Sequence, residues 1–462
     1  MTIPYDKIHL IGIGGYGMSA IAKILLAWGH KVSGSDIKQS ALTKGLEEDG
    51  AKIYFEHEAK NLQDADAVIY STAIGDDNVE LLEAKKRKLP IYHRADVLAQ
   101  FLNSRKGIAI AGAHGKTTTT SMISLILAKA GMDPTAFIGG EIEHFNGNAR
   151  VGSSCYIVAE ACESDRSFLQ YRPYAAVLTN IEADHLDNYG GSFGRLIRSY
   201  EKFIGNIAKL GYLVVNGDDP VIKELDILDR EIITFGLNEK NHFSAANCSF
   251  YRGTASFDLF IKGTPRGRIK LNVPGRHNVL NSLAAIALCY QLGVSVKNMA
   301  ETLKNFKGVK RRFEILYKNE EKIIVDDYAH HPTEIQSTLT AAKEFNAPVI
   351  AIFQPQRYTR TSFLFKEFSE AFDYADKVYL LPIFSAGEKT IEKITSKNLA
   401  QVIKQRKTTQ VVYTDTHNQC IEMIQKDLLK KCIIVTMGAG DVWKISHSIS
   451  KELKDKCIKI DQ

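Results

Sequence analysis

The chain has 462 residues, more than one hydrophobic core usually holds, so we expect two or three domains. A composition of 45% hydrophobic and 24% charged residues is typical of a soluble globular protein, and a net charge of only +6 argues against a nucleic-acid-binding chain. Seven cysteines without a CxxC pair favour reduced thiols over disulfides or a zinc site. No signal-peptide pattern opens the chain and no apolar run reaches about 18 residues, so we expect a cytoplasmic protein that does not enter a membrane.

The first hundred residues alternate predicted strands and helices, which is typical of a parallel sheet with helical crossovers. The segments KIHLIGI and HKVSGSD predict strands on either side of the helix MSAIAKILLAWG. Gly12, Gly14 and Gly17 form a G-x-G-x-x-G turn before that helix, and Asp36 ends the second strand. This pattern holds a pyrophosphate at a helix N-terminus and a ribose on the carboxylate. It indicates a nucleotide site without specifying the nucleotide, and a tight turn with no ligand is the alternative.

The segment AGAHGKTTTT at residues 111–120 follows an apolar strand and opens a helix, as a phosphate loop does. Glycines let the backbone N–H groups converge on phosphate oxygens, where the helix dipole also favours an anion. Lys116 is predicted to reach the β- and γ-phosphates, and the Thr117 hydroxyl to coordinate Mg²⁺. The usual motif has glycine at position 110, where this chain has Ile110, and the extra glycine is Gly112. The loop predicts ATP binding.

Acidic residues follow the next two predicted strands. Glu160 and Glu163 lie in VAEACESD, and Glu182, Asp184, His185 and Asp187 lie in NIEADHLD. Carboxylates near a phosphate loop suit Mg²⁺, which prefers oxygen ligands. Each residue taken alone is more often a surface residue or a helix cap. Their position after successive strands favours a metal site.

The rest of the chain predicts a small antiparallel hairpin set over residues 241–275, a helix from about Asn278 to Leu292, and then resumed β/α alternation from Lys322. Asn278 and Asn281 share one helix face, where amides can bind an adenine edge or cap the helix; both interpretations stay open. Further polar clusters occur in KGVKRRFE, DDYAHHPTE and QPQRYTRT. Together they favour a site for a nucleotide, a carboxylate and an amine.

In their order along the chain, these motifs resemble those of the Mur ligases over nearly the whole sequence. The motifs are GIGGYGMSA, SGSD, GAHGKTTTT, VAEACESD, TNIEADHLDNYGG, GRHNVLNSLAA, KGVKRRFE, DDYAHHPTE and QPQRYTRT. The first and the last but one resemble the alanine-adding branch of the family. Departures from that branch are Ala113 in place of Thr, Cys162 in place of Asp, and Gln356 in place of His.

The resemblance implies an α/β chain of three domains. An N-terminal Rossmann-like domain for the UDP-sugar is expected over residues 1–104. A central P-loop ATPase domain, with a mixed sheet and a small antiparallel β element, is expected over residues 105–312. A C-terminal Rossmann-like domain for the amino acid and part of the nucleotide is expected over residues 313–462.

The resemblance also assigns residues to each ligand. The UDP-sugar site would use Gly12, Gly14, Gly15, Gly17, Ser19, Ser35, Asp36 and His114. The ATP site would use Gly112, Ala113, His114, Gly115, Lys116, Thr117, Thr118, Asn278, Asn281, Arg312 and Asp327. The metal ligands would be Thr117, Glu160 and His185, with Glu163 as the second choice. Catalysis would fall to Lys116, His330, Arg312 and Arg357, with His331 and Arg360 in the acceptor region.

The reaction implied by the resemblance is ATP- and Mg²⁺-dependent joining of L-alanine to the lactyl carboxylate of UDP-N-acetylmuramate, in peptidoglycan precursor synthesis, by a monomer or weak homodimer. One alternative is the related ligase that reattaches a recycled tripeptide to the same sugar nucleotide; folylpolyglutamate synthetase is another. A nicotinamide dehydrogenase and a non-catalytic UDP-sugar sensor are alternatives from other classes. Amino-acid-stimulated phosphate release separates the ligases from both.

Overall fold

The computed structural model describes residues 3–227, 230–406, 408–426 and 431–460, with side chains in the last range as far as residue 455. These residues form a three-domain α/β structure with three separate β-sheets, as the sequence predicts. The chain forms two compact units. The first comprises Met1–Ala246, Asp258–Ile269 and Leu280–Asn305, and the second comprises Asn247–Phe257, Lys270–Val279 and Phe306–Gln462. Across the described ranges, every helix is too short or too polar to cross a membrane.

The first sheet lies in the first unit and is parallel throughout, which confirms the Rossmann-like prediction. Its strands are β1 (Lys7–Ile11), β2 (Lys31–Ser35), β3 (Lys52–Tyr54), β4 (Ala67–Tyr70) and β5 (Ile91–His93). Its helices are α1 (Tyr16–Ala27), α2 (Ala41–Glu48), α3 (Val79–Lys86) and α4 (Arg94–Asn103). The strand order is β3-β2-β1-β4-β5. The carboxyl ends of its strands therefore meet at one edge, where ligands of such sheets bind.

Alternate side chains of β1 pack against α1. Ile8 and Leu10 of β1 point to the same face, and they share one buried apolar cluster with Ile21 and Leu25 of α1. Burying these side chains contributes roughly 1.5–3 kcal/mol for each residue. The packing fixes the turn between β1 and α1, which carries the glycine motif.

The second sheet has ten strands. They are β6 (Lys106–Ala111), β7 (Thr135–Ile142), β8 (Gly147–Arg150), β9 (Tyr156–Glu160), β10 (Ala175–Leu178), β11 (Tyr212–Asn216), β12 (Ile232–Gly236), β13 (Phe243–Tyr251), β14 (Thr254–Ile261) and β15 (Thr264–Leu271). The accompanying helices are α5 (Lys116–Lys129), α6 (Phe193–Gly205), α7 (Pro220–Lys223), α8 (Arg276–Gln291) and α9 (Val296–Lys304). The order is β15-β14-β13-β12-β11-β10-β6-β9-β7-β8, so β9 and β10 flank β6. Residues at the ends of these three strands are thereby brought together.

The predicted hairpins occupy one end of this sheet. Two residues, Arg252 and Gly253, join β13 to β14, and two more, Lys262 and Gly263, join β14 to β15. All four have positive φ, the backbone conformation of a tight type I′ hairpin turn. The last strand, β15, is the edge of the sheet, and its residues Thr264–Arg268 are all exposed.

The third sheet lies in the second unit. Its strands are β16 (Glu314–Lys318), β17 (Lys322–Asp327), β18 (Val349–Phe353), β19 (Lys377–Leu380), β20 (Gln410–Tyr413) and β21 (Cys432–Met437). Its helices are α10 (Pro332–Lys343), α11 (Tyr358–Phe363), α12 (Phe365–Glu370), α13 (Ser396–Arg406), α14 (His417–Lys426) and α15 (Trp443–Ile460). The order is β16-β17-β21-β18-β19-β20, with only β16 antiparallel to its neighbour among the described pairs. This confirms the predicted second Rossmann-like sheet.

Candidate active site

The phosphate loop (residues 112–116) joins β6 to α5 in the first unit. Gly112 and Gly115 have φ of +132° and +83°, conformations that favour glycine. A Cβ at Gly112 would collide with Thr179, and one at Gly115 would collide with Asn281 of α8. The glycines are thus required both by the backbone turn and by the close approach of neighbouring elements. Asn281 also accepts a hydrogen bond from Thr119, at 3.3 Å, so this predicted ATP-site residue lies against the loop.

Lys116 points back into the phosphate loop. Its Nζ donates to the carbonyl oxygens of Gly112 and Ala113 and lies 3.0 Å from both carboxylate oxygens of Glu163. Burial disfavours the charged lysine, but the Glu163 carboxylate, together with Cys162 and Glu160, outweighs this and raises the pKa of Lys116 above its usual value. The ammonium is therefore held charged where the loop surrounds it, which is what phosphate binding requires.

Thr117 and Glu160 form the second polar pair of the loop. The Thr117 hydroxyl donates to Glu160 Oε2 at 3.2 Å, and the Gly139 N–H donates to Glu160 Oε1 at 2.6 Å. The hydroxyl at the start of α5 and the carboxylate at the end of β9 are therefore adjacent. They are suitable ligands for a hard cation such as Mg²⁺. The third predicted metal ligand, His185, has its Nε2 3.5 Å from Asp184 Oδ2.

Thr179 and Asn180, which follow the end of β10, brace the loop; they open the motif TNIEADHLDNYGG, but no role is predicted for them from the sequence. The Thr179 hydroxyl donates to the His114 carbonyl at 2.6 Å, and the Asn180 amide donates to the same carbonyl at 3.0 Å. The Asn180 side-chain oxygen accepts the His114 N–H at 2.8 Å. The signal for them was their position at the end of a strand next to β6, which the strand order reveals.

The glycine loop (residues 12–17) and Asp36 meet at the ligand-binding edge of the first sheet. The Gly14 N–H donates to Asp36 Oδ2 at 2.9 Å, and a Cβ at Gly14 would approach Asp36 and Thr43. Ser19 donates to the Tyr16 carbonyl at 3.1 Å. Asn148 of β8 donates to Ser19 Oγ at 3.1 Å. The predicted sugar-nucleotide residues of this loop are thus clustered; which of them contact the ligand remains a prediction.

Ser35, by contrast, belongs to a buried network centred on Glu80. The Ser35 hydroxyl donates to Glu80 Oε2 at 2.5 Å, Asn61 donates to Glu80 Oε1 at 2.7 Å, and His57 Nδ1 lies 3.2 Å from Glu80 Oε2. Burial alone would raise the pKa of Glu80, but the imidazole of His9, 3.7 Å away, and the hydrogen bonds from Ser35 and Asn61 lower it to about 2. A buried carboxylate therefore anchors the end of β2, next to Asp36.

In the second unit, predicted catalytic residues gather around Glu334 of α10. His330 Nδ1 and Arg312 Nη1 lie 3.2 and 3.7 Å from its carboxylate. The guanidinium of Arg312 also stacks over Tyr328, 5.1 Å from the ring centre. Glu334 accepts the His331 N–H while His331 caps the helix, a reciprocal capping box. Glu334 belongs to the motif DDYAHHPTE, in which no role is predicted for it; its place three residues after the N-cap is the signal that it completes a capping box.

Asp327 is the last residue of β17, and it is buried. Its carboxylate accepts N–H groups of Phe313 at 2.9 Å and Ala329 at 2.7 Å, and the Thr338 hydroxyl at 3.2 Å. Burial raises its pKa to about 6, against the opposing effect of Arg312. Asp327 thus organises the chain around the Arg312 segment, and a direct contact with nucleotide remains a prediction.

The carboxyl ends of β18 and β19 hold the remaining predicted acceptor residues. Arg357 Nε lies 2.5 Å from Glu388 Oε1, and the Thr359 N–H and hydroxyl also donate to Glu388. Arg360 is almost fully buried and donates to Gln356 Oε1 at 3.3 Å. None of the predicted motifs includes Glu388, because it lies in the loop after β19, the strand parallel to β18.

A glycine loop in the first sheet, a phosphate loop with nearby carboxylates in the second and a further Rossmann-like sheet in the second unit are the features of an ATP-dependent ligase of the Mur type. Residues 7–106 match the catalytic domain of the Mur ligase family, residues 110–289 the Mur ligase middle domain, and residues 311–440 the Mur ligase glutamate ligase domain. The chain belongs to the Mur ligase family.

Within the family the chain is similar to alanine-adding enzymes. It is 44% identical over 451 residues to UDP-N-acetylmuramate–L-alanine ligase from Pelotomaculum thermopropionicum, covering 97% of this chain and 98% of that protein. The crystal structure of UDP-N-acetylmuramate–alanine ligase from Thermotoga maritima is 32% identical, with a TM-score of 0.82 over 97% of this chain and 99% of that one. A murein peptide ligase from Psychrobacter arcticus is 25% identical, with a TM-score of 0.70 over 95% and 97%.

Proposed function

We propose that this protein joins L-alanine to the lactyl carboxylate of UDP-N-acetylmuramate, converting ATP to ADP and phosphate and releasing UDP-N-acetylmuramoyl-L-alanine. The observation that carries the proposal is the phosphate loop with Lys116 and Glu163 on one side and Thr117 and Glu160 on the other. The similarity to alanine-adding ligases over almost the whole chain supports the choice of substrates. The product is a cytoplasmic precursor of peptidoglycan.

ATP is needed because a carboxylate does not acylate an amine in water, since its oxygen is a poor leaving group. Transfer of the γ-phosphoryl group to the lactyl carboxylate gives an acyl phosphate, whose phosphate leaves readily when the amine of L-alanine attacks. Little of this chemistry requires a covalent role for the protein. Its contribution is positioning and charge neutralisation.

Lys116 is the residue that we assign to the transferred phosphoryl group. In the described structure its ammonium is paired with Glu163, so an incoming phosphate competes with that carboxylate for the same cation. Both partners are mostly buried, with 15% and 5% of their side chains exposed. The pairing keeps Lys116 charged and directed into the loop before nucleotide binds.

Mg²⁺ is the metal that the loop fits. Thr117 Oγ1 and the Glu160 carboxylate supply adjacent oxygens, and we assign the cation to them with His185 as a further ligand. The ion would neutralise the charge on the β- and γ-phosphates. Glu163, the second choice of the motif analysis, is instead engaged by Lys116, which supports Glu160 as the ligand.

The remaining assignments concern residues of the second unit. We propose His330 as the base that keeps the amine of L-alanine unprotonated, and Arg312 and Arg357 as cations for the phosphates and the acceptor region. Both His330 and Arg312 lie against Glu334, so their positions are set by one carboxylate. Domain boundaries at residues 104 and 312, and a monomer or weak homodimer without nucleic-acid or membrane partners, complete the proposal.

Phosphate release from ATP with Mg²⁺ and UDP-N-acetylmuramate, measured across amino acids, tests this function. L-Alanine should give the fastest release, with glycine and serine slower, because small side chains differ by only about 1–3 kcal/mol in an apolar pocket. Turnover with L-alanyl-D-glutamyl-diaminopimelate but not with L-alanine would identify the tripeptide-recycling reaction. Release that no amino acid stimulates would refute both.

A further inference from the structure

Arg94, the first residue of α4, lies against the glycine loop. Its Nε donates to Thr72 Oγ1 at 3.0 Å, after the end of β4. Its Nη1 lies 2.9 Å from the position that a Cβ on Gly17 would occupy. About 30% of the side chain is exposed. A partly exposed guanidinium therefore faces the turn at which the proposed sugar nucleotide binds.

The same guanidinium reaches the loop that follows β9. Nη2 donates to Asp165 Oδ2 at 3.4 Å, and Asp165 Oδ1 accepts the Ser167 N–H at 3.0 Å. Residues 161–166, here called the β9 loop, begin directly after Glu160 and include Glu163. One loop thus contacts Arg94 through Asp165 and Lys116 through Glu163, two residues apart.

Hydrogen bonds hold the backbone of the β9 loop, and the Arg166 N–H donates to the Glu163 carbonyl at 3.1 Å. The Tyr189 hydroxyl donates to the Glu163 carbonyl at 2.6 Å, and Asn188 donates to the Ser164 carbonyl at 2.6 Å. Glu163 is nearly buried. A shift of Asp165 is therefore expected to move the Glu163 backbone, and with it the carboxylate that competes with phosphate for Lys116.

We propose that Arg94 is a positioning residue that couples the sugar-nucleotide site to the ATP site. The proposal rests on the proposed function for the identity of the two ligands. An anion at the glycine loop, such as the pyrophosphate of a nucleoside diphosphate sugar, attracts the guanidinium, whose fork geometry suits phosphate oxygens. Movement of the guanidinium changes its hydrogen bond to Asp165, and this in turn changes the conformation of the β9 loop. By linkage, ATP binding changes the affinity for the sugar nucleotide by the same factor.

The test measures binding of UDP-N-acetylmuramate and of a non-hydrolysable ATP analogue with Mg²⁺ by calorimetry, each alone and with the other ligand saturating. The full-length protein should show at least about a fivefold change in each affinity when the other ligand is present. Asp165→Asn should reduce this coupling factor to within twofold of one while leaving the affinity for UDP-N-acetylmuramate alone within about twofold. Arg94→Ala should remove the coupling and also weaken UDP-N-acetylmuramate binding by about tenfold.

Two further variants separate coupling from simple structural damage. Arg94→Lys keeps the charge but not the fork, so affinity for the sugar nucleotide should recover while the coupling stays reduced. Arg105→Ala removes a guanidinium that lies over the ring of Trp28 and donates to the Ser154 carbonyl, and this variant should keep the full coupling. The coupling factor of the double variant Arg94→Ala, Asp165→Asn should be no smaller than that of either single variant, because both substitutions interrupt the same contact.

Full coupling in Asp165→Asn would overturn the proposal, and so would independent binding of the two ligands to the unmodified protein. Failure of the proposed function is a different result, namely no binding of UDP-N-acetylmuramate to any form of the protein. In steady-state assays, Asp165→Asn should lower kcat more than it raises KM for the sugar nucleotide. A residue that merely supports the fold would lower the amount of active protein and leave both constants and the coupling unchanged.

Discussion

Removing the negative charge of Glu160, and separately the positive charge of Lys116, tests the assignment of the phosphate loop most directly. Glu160→Gln keeps the size and hydrogen-bonding ability of the side chain next to Thr117 Oγ1, 3.2 Å away, but removes one charge from the proposed Mg²⁺ shell. Loss of one preorganised electrostatic contact typically costs about 10²–10³ in rate. Lys116→Ala should cost a similar factor, because it removes the cation that the loop directs at the phosphates.

Dependence on Mg²⁺ distinguishes the two variants. Raising Mg²⁺ should partly restore Glu160→Gln by mass action, since weaker metal affinity is compensated by higher metal concentration. It should not restore Lys116→Ala, because no bound metal takes the place of that ammonium. Initial rates of phosphate release, titrated with Mg²⁺ at saturating substrates, provide the measurement, and circular dichroism verifies that both variants are folded.

Glu163→Gln is the matched control, three residues from Glu160 in the same segment. Its carboxylate lies 3.0 Å from Lys116 Nζ in a mostly buried pair, an interaction of gross Coulomb energy about 5 kcal/mol at an effective dielectric constant of about 20. Breaking a buried pair on one side typically costs about 3–5 kcal/mol. Glu163→Gln should therefore lower the thermal midpoint of the free protein, with partial recovery when ATP supplies a new anion, and show no Mg²⁺ rescue. If Glu163→Gln were the metal-sensitive variant and Glu160→Gln were not, the ligand assignment would be wrong.

Three further predictions concern other parts of the molecule. Glu80→Gln should reduce the free energy of unfolding at pH 7 by about 3 kcal/mol, from the fall in the pKa of Glu80 from 4.5 to about 2. Because that stabilisation is present above pH 4.5 and is lost as pH falls towards 2, urea unfolding of the variant and the parent should converge over this range. Gly14→Val should raise KM for UDP-N-acetylmuramate and leave KM for ATP nearly unchanged, since its Cβ would approach Asp36; an ATP-binding defect would refute the division of the two nucleotides. Glu388→Gln should raise KM for L-alanine alone, because it releases Arg357; an equal rise for the sugar nucleotide would argue against its assignment to the acceptor region.

The parts of the site that the sequence predicts are those in which neighbouring residues carry the whole pattern. The sequence around the phosphate loop predicts a strand, a glycine turn and a helix. The roles predicted for Lys116 and Thr117 follow from their positions in that pattern. The role of Asp36 is predicted in the same way, because the crossover from the glycine loop to the end of the next strand has a characteristic length. Alternation of apolar residues likewise predicts the strands and the helices that pack on them.

Contacts between distant segments could not be predicted from such patterns, since they depend on strand order. Thr179 and Asn180 reach the phosphate loop because β10 pairs with β6, although 66 residues separate Asn180 from His114. Glu388 reaches Arg357 because β18 and β19 are neighbours. The sequence also leaves open whether Glu160 or Glu163 is the metal ligand, because both follow the same strand and only the course of the β9 loop shows that Glu163 lies against Lys116.

The exposed strand β15 has a consequence for how copies of this protein behave at high concentration. An unpaired sheet edge offers backbone hydrogen-bonding groups on which another chain can add a strand, the first step towards aggregation. Here that edge carries Pro265, Arg266 and Arg268, and Gly267 has a positive φ that interrupts a flat strand. Proline lacks a donor and like charges repel an identical strand, so the edge is protected against self-addition. The composition of β15 therefore disfavours pairing of this edge with the same edge of a second copy.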